Sequence, residues 1–247
     1  MGNLTMKGIE DGLFALGVKK GMMLEVHCSL SRFGLVEGGA HTVIRALQRA
    51  VGREGAVVMP SFRLSPPLPL EDGDRALGLT SKIKILPNDE GKTGMGVVAD
   101  TFRCLPGVVT GDGLFRVSAW GREAAQHAAA GFQKVIDEGG CALLLGVDIY
   151  RLSAMHYVED CLPPAIRDRF RPSEAARKLY PENEWLIESW APAAKPWYTI
   201  QSRAYEKGYI VAGRIGQSRC MLCRVGPVVE LYREALLSEP LKLYGLA

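Results

Sequence analysis

Residues 22–59, MMLEVHCSLSRFGLVEGGAHTVIRALQRAVGREGAVVM, contain the unit that decides the fold. The short apolar stretches Met22–Val26 and Ala56–Met59 are typical of buried strands, and the apolar positions of Ala40–Val51 recur at helical spacing. A glycine-containing loop, Cys28–Gly39, joins the first strand to this helix. Strand, loop, helix and strand in this order build a parallel sheet, so the stretch predicts an α/β fold.

The pattern continues on both sides of this unit. Helices are predicted for Met6–Leu16, ending near Gly17, and for Gly94–Cys104, Gly121–Ala130, Phe132–Glu138, Leu152–Cys161 and Gly226–Leu237. Strands are predicted for Cys141–Val147, Trp185–Trp190 and Pro196–Ile200, and a hairpin or two adjacent strands for Tyr209–Ala212 with Arg219–Val225. We therefore expect one domain over residues 1–247, with a mixed or parallel central sheet flanked by helices.

A proline-rich segment at about 60–90 interrupts this regularity. Pro60–Asn88 contains five prolines and shows no clear periodicity. A long structureless loop is uncommon inside a compact domain and is often functional. Because the sheet pattern resumes after it, we interpret the segment as an insertion rather than as a linker between domains.

Composition and charge exclude several classes of protein. The 30 basic and 27 acidic residues give a net charge of +3, which is too balanced to indicate nucleic-acid binding. No apolar run approaches the roughly 18 residues of a membrane span. Glu10 and Asp11 interrupt the apolar stretch near the start, so no secretory signal is predicted and a cytoplasmic location is expected.

The six cysteines are expected to be reduced thiols in that location. Cys220 and Cys223 form a CxxC pair, which raises the question of zinc. A structural zinc site needs four ligands, usually from two such pairs, and no second pair follows. We therefore predict no metal site.

The first candidate for chemistry is the small-residue loop after the first strand, from His27 through Ser29 and Ser31 to Gly38 and Gly39. It leads into a helix N-terminus, where free backbone N–H groups favour phosphate. Neither a Walker motif nor a GxGxxG motif is present. A glycine turn capped by serines remains the alternative.

The second candidate is His156 with Glu159, just after the strand Cys141–Val147. Ligand sites in open α/β sheets gather beyond the carboxyl ends of the strands. Residues three apart on a helix share a face, and a carboxylate beside an imidazole fixes its tautomer. The pair suits a general base for an amine nucleophile, although a surface histidine remains the alternative.

Two weaker signals are also present. Thr93, Gly94 and Gly96 precede a predicted helix, and glycines there permit close backbone approach to a ligand. Cys28 next to His27 suggests a thiol nucleophile, but adjacent residues on a strand point to opposite faces. A Cys–His catalytic pair is therefore not expected from this adjacency.

Taken together, these stretches resemble the aminoglycoside 3-N-acetyltransferase family. The resemblance extends over about residues 8–237, and the order and spacing of the blocks make it specific. The blocks are Val26-His27-Cys28-Ser29-Leu30 with Gly34, Val36, Gly38 and Gly39; Gly55–Phe62; Gly94-Met95-Gly96 with Phe102-Arg103 and Pro106-Gly107; Ser118–Gly121; and Leu144–Val147 leading to His156 and Glu159.

The resemblance implies the family's own antibiotic N-acetyltransferase fold, distinct from the commoner N-acetyltransferase fold. It implies acetyl-CoA as co-substrate and a direct ternary-complex mechanism, with His156 as general base aided by Glu159. Carboxylates are expected to face the cationic acceptor, and these are Asp148, Glu159, Asp160 and Asp100. The residues expected to bind coenzyme A are Ser29, Leu30, Ser31, Phe33, Val36, Gly38, Gly39 and Thr93.

The sequence also departs from the family pattern. Cys28-Ser29 replaces the usual double serine, Asp100 replaces a glutamate, and Arg151 adds positive charge near a site for a polycation. The acceptor is accordingly an aminoglycoside or, alternatively, another small-metabolite amine. An alternative of another class is a coenzyme A binding protein without catalysis. Nucleic acid and membrane are not expected as partners, and the chain is expected to be a monomer or a homodimer.

Overall fold

A seven-stranded mixed sheet forms the centre of the computed structural model, which describes residues 3–247. The strands are β1 (Met23–Cys28), β2 (Ala56–Pro60), β3 (Ser81–Lys84), β4 (Val109–Thr110), β5 (Val117–Gly121), β6 (Cys141–Leu145), β7 (Trp185–Glu188), β8 (Ile210–Ile215) and β9 (Ser218–Arg224). The central order is β4-β5-β2-β1-β6-β9-β8, and β3 pairs with β7 in a second sheet. Strands β2, β1 and β6 run parallel, and the flanking strands are antiparallel.

Helices cover both faces of the central sheet. They are α1 (Met6–Leu16), α2 (Gly39–Val51), α3 (Asp72–Ala76), α4 (Val97–Arg103), α5 (Ala124–Ala130), α6 (Gln133–Asp137), α7 (Pro164–Phe170), α8 (Glu174–Leu179), α9 (Pro196–Glu206), α10 (Val225–Ser238) and α11 (Pro240–Leu243). Three 3₁₀ segments cover Leu30–Phe33, Ile149–Arg151 and Ser153–Cys161. Within residues 3–247, no helix has the length and hydropathy that a bilayer span requires.

The core lies in two layers because the central strands are buried on both faces. Successive side chains of β6 point to opposite sides, so Leu143 and Leu145 pack with α1 and α2. Ala142 and Leu144 pack on the other side, with α9 and α10. A strand buried on both faces needs a continuous apolar run, which explains why Cys141–Leu145 contains no charged residue.

The arrangement confirms the predicted fold class, a mixed sheet flanked by helices. Helix α1 ends where expected, because Gly17 adopts φ +103° and its N–H caps the carbonyls of Leu13 and Phe14. The predicted strand at Cys141, the hairpin and the last helix correspond to β6, to β8 with β9, and to α10.

Several predicted elements differ from the structure, among them the helix predicted for Gly94–Cys104, which starts only at Val97. The expected strand at Pro196–Ile200 is wrong, since Pro196 occupies the first turn of α9 and proline favours that position. The expected helix at Gly121–Ala130 starts only at Ala124, because Val117–Gly121 pairs with β2 as strand β5. The segment Leu152–Cys161 is helical, but of the 3₁₀ type.

The proline-rich segment is ordered rather than structureless. It contains α3 and β3, and β3 pairs with β7 from a distant part of the chain. Lys82 of β3 donates to the carboxylate of Asp74, which also accepts from the hydroxyl of Tyr180 after α8. The second sheet is thereby fixed to the rest of the molecule, and it forms a wall of the cavity described below.

Candidate active site

A cavity of about 1720 Å³ opens where the three parallel strands end. Cys28 ends β1, Pro60 ends β2, and Val147 follows β6, and all three line this space. The carboxyl ends of parallel strands lie at one edge of a sheet, which is where open α/β folds bind ligands. One wall is the loop after β1 with residues 94–97, and another wall is the β3–β7 sheet.

His156 and Glu159 face this cavity from the 3₁₀ segment. Their Nδ1 and Oε2 atoms are 2.7 Å apart. A 3₁₀ helix has three residues per turn, so side chains three apart lie directly above one another. The 3₁₀ geometry therefore stacks His156 and Glu159 more directly than the α-helix predicted from the sequence would. With Nδ1 held by a carboxylate, Nε2 of the neutral ring keeps its lone pair for chemistry.

The environment of His156 favours the charged form of its ring. Burial lowers the pKa of His156, but the hydrogen bond to Glu159 and the charges of Glu159, Glu188 and Glu25 outweigh it and raise the pKa above its ordinary value. The side chain is 59% exposed and lines the cavity. The ring of Trp197 lies edge-on at 4.9 Å between centroids and restricts its rotation.

Two further glutamates on the β3–β7 side line the cavity, and neither was predicted from the sequence. Glu188 ends β7, and Glu182 lies just before this strand. Burial and the charge of Glu159 raise the pKa of Glu188, while His156 opposes the change. Together with Glu159, a predicted acceptor-side carboxylate that lines the cavity, Glu182 and Glu188 give the cavity three carboxylates, two of which the sequence did not predict.

A second His–Glu pair is buried in β1. His27 Nε2 lies 2.7 Å from Glu25 Oε1, with the side chains 7% and 0% exposed. The same Glu25 oxygen accepts from the N–H of Ala154 at 3.2 Å, two residues before His156. Glu25 thus connects β1 to the segment that carries His156. A glutamate in an apolar strand, two residues before a histidine and on the same face, was a signal that the sequence offered.

The loop after β1 supplies most of the predicted coenzyme A residues. Ser29, Leu30, Ser31, Val36 and Gly39 all line the cavity. The N–H of Ser29 already donates to the carbonyl of Leu145 at 2.9 Å, so its hydroxyl is the group that it offers to a ligand.

Phe33 and Gly38 are not among the residues that line the cavity. Phe33 is 2% exposed and packs in the core, since the last turn of its 3₁₀ segment points a large apolar ring inward. Gly38 adopts φ +71° and directs the chain into α2.

The predicted residues Thr93 and Asp100 bind each other instead of facing the cavity. The N–H and hydroxyl of Thr93 donate to the two carboxylate oxygens of Asp100, at 2.9 and 2.8 Å. Both side chains are thereby satisfied. Their contact fixes the loop before α4, whose residues 94–97 do line the cavity.

Asp148 and Asp160 also lie outside the cavity lining. Asp148 accepts from the hydroxyl of Tyr198 at 2.7 Å and from the N–H of Tyr150 at 3.0 Å, and it lines a neighbouring groove. Asp160 is exposed at the end of the 3₁₀ segment. On a helix of three residues per turn, Asp160 follows Glu159 by a third of a turn and so points away from it.

Cys28 lines the cavity as an unreactive thiol. Burial, and to a smaller extent the neighbouring Cys220, raise the pKa of Cys28 to about 12. The thiolate is the nucleophilic form, and at neutral pH almost none is present. The Nε2 atom of His27 is hydrogen-bonded to Glu25 rather than to the thiol. The geometry therefore agrees with the expectation that these neighbours do not form a catalytic Cys–His pair.

Comparison with known proteins identifies the class. The model of the family described as aminoglycoside 3-N-acetyltransferase matches residues 26–237. The protein is an acyltransferase by fold and family. It belongs to the aminoglycoside 3-N-acetyltransferase family, as the resemblance of its sequence blocks predicted.

Individual relatives agree with this assignment. The chain is 29% identical to the SPbeta prophage-derived aminoglycoside N(3')-acetyltransferase-like protein YokD of Bacillus subtilis, over 96% of this chain and 94% of that protein. It is 32% identical to an aminoglycoside N(3)-acetyltransferase III of Salmonella sp, over 63% of this chain and 60% of that protein.

Solved structures show the same fold. The apoenzyme of aminoglycoside acetyltransferase AAC(3)-IVa has a TM-score of 0.70 at 23% identity, covering 99% of this chain and 92% of that chain. A histidine-to-alanine mutant of AAC(3)-IVa in complex with gentamicin has a TM-score of 0.72 at 22% identity, with the same coverage of 99% and 92%. AAC-IIIb, in a binary complex with CoASH, has a TM-score of 0.66 at 18% identity, covering 95% and 97%.

Proposed function

We propose that the protein transfers the acetyl group of acetyl-CoA to the 3-N amino group of an aminoglycoside, with His156 as the general base. The observation that carries the proposal is the His156–Glu159 pair, with its atoms 2.7 Å apart on the wall of the cavity. Relatives named as aminoglycoside acetyltransferases, and neighbours in complex with gentamicin and with CoASH, support both substrates. A cavity of about 1720 Å³ has room for both together, which makes their reaction local.

The proposed chemistry begins with an acceptor that is mostly an ammonium ion at neutral pH and has no lone pair for attack. The nitrogen forms a bond to the thioester carbon, and the carbon–sulfur bond breaks. Of the two protons that the nitrogen loses, one passes to solvent through Nε2 of His156 and the other ends on the sulfur of coenzyme A. Glu159 stabilises the imidazolium that forms in this step.

The acceptor is proposed to bind on the side of Glu159, Glu182 and Glu188, all of which line the cavity. Aminoglycosides carry several positive charges, and a partly desolvated carboxylate attracts a cation more strongly than one in bulk water. Asp148, Asp160 and Asp100 remain acceptor residues only as sequence predictions. The positively charged Arg151 and Arg177, also on the cavity wall, favour an acceptor with its charge concentrated at one end.

The donor is proposed to bind along the loop after β1. The hydroxyls of Ser29 and Ser31 and the apolar side chains of Leu30 and Val36 face the cavity. Backbone N–H groups of Leu30 and Ser31 are proposed to donate to the thioester oxygen as it gains negative charge, because preorganised donors lower the barrier most when aimed at developing charge. The six cysteines are free thiols, which suits the reducing cytoplasm proposed as its location.

The experiment is a thiol-release assay with acetyl-CoA and a panel of aminoglycosides and simple polyamines. The variants are His156→Ala and, as a matched control, His41→Ala, which removes an exposed histidine of α2 that does not line the cavity. We expect release with at least one aminoglycoside, full activity in the control, and a loss in His156→Ala.

Each other result changes a different part of the proposal. Turnover with polyamines but with no aminoglycoside would replace the acceptor class and keep the chemistry. Binding of coenzyme A without turnover on any amine would favour a non-catalytic protein. Equal rates for His156→Ala and wild type would exclude His156 as the base.

A further inference from the structure

Two phenylalanine rings, Phe62 and Phe115, lie against each other on the cavity wall, and the proposed proton transfer gives them no role. Their ring centroids are 5.4 Å apart, and the ring planes are nearly perpendicular, at 88°. Phe115 is 58% exposed, so much of this large apolar side chain is not covered by the protein itself. Apolar surface that is exposed inside a cavity is available for contact with a ligand.

The backbone places this aromatic pair on one face of the sheet. Strands β2 and β5 run antiparallel, and two further backbone hydrogen bonds, of 3.0 and 2.9 Å, continue their ladder beyond the ends of both strands. These bonds run from the N–H groups of Ser61 and Arg63 to the carbonyls of Arg116 and Leu114. Phe62 and Phe115 are therefore direct partners between the two bonds, in the type of antiparallel pair whose side chains lie closest together.

Arg116 fixes this extension of the ladder. Its Nε donates to the carbonyl of Ser61 at 3.1 Å, and its Nη2 donates to the carbonyl of Asn88 at 2.9 Å. Because successive side chains of an extended chain point to opposite faces, Arg116 makes these contacts on the face away from Phe115. The aromatic pair is thus held in position before a ligand arrives, and such pre-organisation lowers the entropic cost of binding.

The aromatic pair lies on the same side of the sheet as the general base. Phe62 packs against the core layer under α9 and α10, and this layer also contains Met155, the neighbour of His156. Leu30 and Met95, on the wall proposed for the acyl donor, pack against the other layer. The position of the aromatic pair therefore favours contact with the acceptor rather than with the donor.

We infer that Phe115 and Phe62 bind the acceptor through the C–H groups next to its ammonium groups. The face of an aromatic ring is electron-rich, so it attracts a cation and the C–H groups that the cation polarises. The acidic wall attracts positive charge of any shape, whereas an aromatic face also needs a C–H-rich surface to pack against it. The inference rests on the proposed function for the amine that reacts, and it makes the aromatic pair a determinant of acceptor specificity.

Steady-state kinetics with gentamicin as the acceptor tests this inference in Phe115→Ala, Phe115→Leu and Phe115→Tyr. Leucine keeps an apolar side chain without an aromatic face, and tyrosine keeps the ring. Phe14→Ala is the matched control, because Phe14 is 47% exposed in α1 and does not line the cavity. The KM for acetyl-CoA is measured with the same preparations.

We expect the alanine and leucine variants to raise the KM for gentamicin about three- to tenfold and to change kcat by less than about twofold. The tyrosine variant and the control should match wild type, and the KM for acetyl-CoA should not change. An unchanged KM for gentamicin in Phe115→Ala would overturn the inference and leave the proposed function intact. So would a wild-type KM in Phe115→Leu, or a rise confined to the KM for acetyl-CoA.

Failure of the proposed function gives a different result. If gentamicin binds but is not acetylated, the proposed reaction fails for this acceptor, and calorimetric titration with gentamicin then decides the inference. Weaker binding to Phe115→Ala than to wild type and Phe14→Ala would support the aromatic pair as a binding surface. Equal binding to all three proteins, or no binding to wild type, would overturn it.

Discussion

Two histidine–glutamate pairs with the same 2.7 Å separation lie close to the cavity, and they differ in their surroundings. In the pair of His156 and Glu159 the side chains are 59% and 32% exposed, whereas those of His27 and Glu25 are 7% and 0% exposed. A pair open to the cavity can exchange protons with a substrate. His27 also lines the cavity, but only 7% of its side chain is exposed and its partner Glu25 holds the backbone of Ala154, so we expect this pair to act mainly in the structure. Surroundings, rather than the contact distance, separate the two roles.

The largest expected effect comes from the exposed pair. We predict that His156→Ala lowers kcat for acetyl transfer by about 10²–10⁴-fold, the usual contribution of a general base. Because the side chain is largely exposed, its loss should change the free energy of unfolding by less than about 1 kcal/mol. Steady-state kinetics and urea unfolding of the same preparation measure both quantities. A large loss of stability in His156→Ala would show that the exposed pair is structural as well, and the contrast with the buried pair would fail.

The buried pair should respond in the opposite way. Glu25→Ala leaves His27 and the N–H of Ala154 without their partner, and breaking a buried pair costs about 3–5 kcal/mol. Glu25→Gln keeps an oxygen as acceptor and should lose only about 1–2 kcal/mol, so it remains informative if the alanine variant does not fold. Urea unfolding compares the three proteins. A wild-type unfolding free energy in Glu25→Ala would show that the pair is not structural.

How much of this contrast could be predicted from sequence depends on distance along the chain. His156 and Glu159 are three apart, so local geometry revealed the pair, although not its 3₁₀ form. Glu188 lies on the cavity only because β7 pairs with β3, a contact between distant segments that periodicity does not report. The resemblance implies that Phe33 binds coenzyme A, but the structure places it in the core, because family likeness in a loop does not say which side chains turn inward.

For the fold, too, local patterns were predictable from the sequence and contacts between distant segments were not. The buried strand β6 and the amphipathic helices α1 and α2 were predictable from their apolar spacing. The first residues of α9 are predicted as a strand, but Pro196 occupies the first turn of this helix, a position that proline favours. Strand β5 was missed because its partner β2 lies far away in the sequence.

A smaller effect should follow when the acidic wall is weakened beside the exposed pair. We predict that Glu188→Gln raises KM for a cationic acceptor by about three- to tenfold with a smaller change in kcat, since one carboxylate attracts a cation by about 1 kcal/mol in a partly wet site. Glu206→Gln, the same change at an exposed residue of α9 that does not line the cavity, is the control. Equal KM values for the two variants would place the acceptor elsewhere.

The smallest expected effect concerns Cys28 and tests whether its neighbour His27, in the buried pair with Glu25, activates the Cys28 thiol. The pKa of Cys28 is raised to about 12, so its thiol should take no part in acetyl transfer. We predict that Cys28→Ser changes kcat by less than about threefold. Mass spectrometry after mixing with acetyl-CoA should find no acetyl group on Cys28 in the wild-type protein. Acetylated Cys28 that transfers its acetyl group to the amine would indicate a covalent mechanism.

The central claim, that Glu159 tunes His156 as the base, is tested most directly by the pH dependence of kcat/KM in wild type and in Glu159→Gln. Glu159 raises the pKa of His156, and the base works in its deprotonated form, so activity should rise with pH through that pKa. Removing the charge of Glu159 should move the midpoint of this rise to lower pH and lower the plateau. Because the acceptor is the same in both proteins, its own ionisation does not cause the shift. An unchanged midpoint, or one moved to higher pH, would contradict the account.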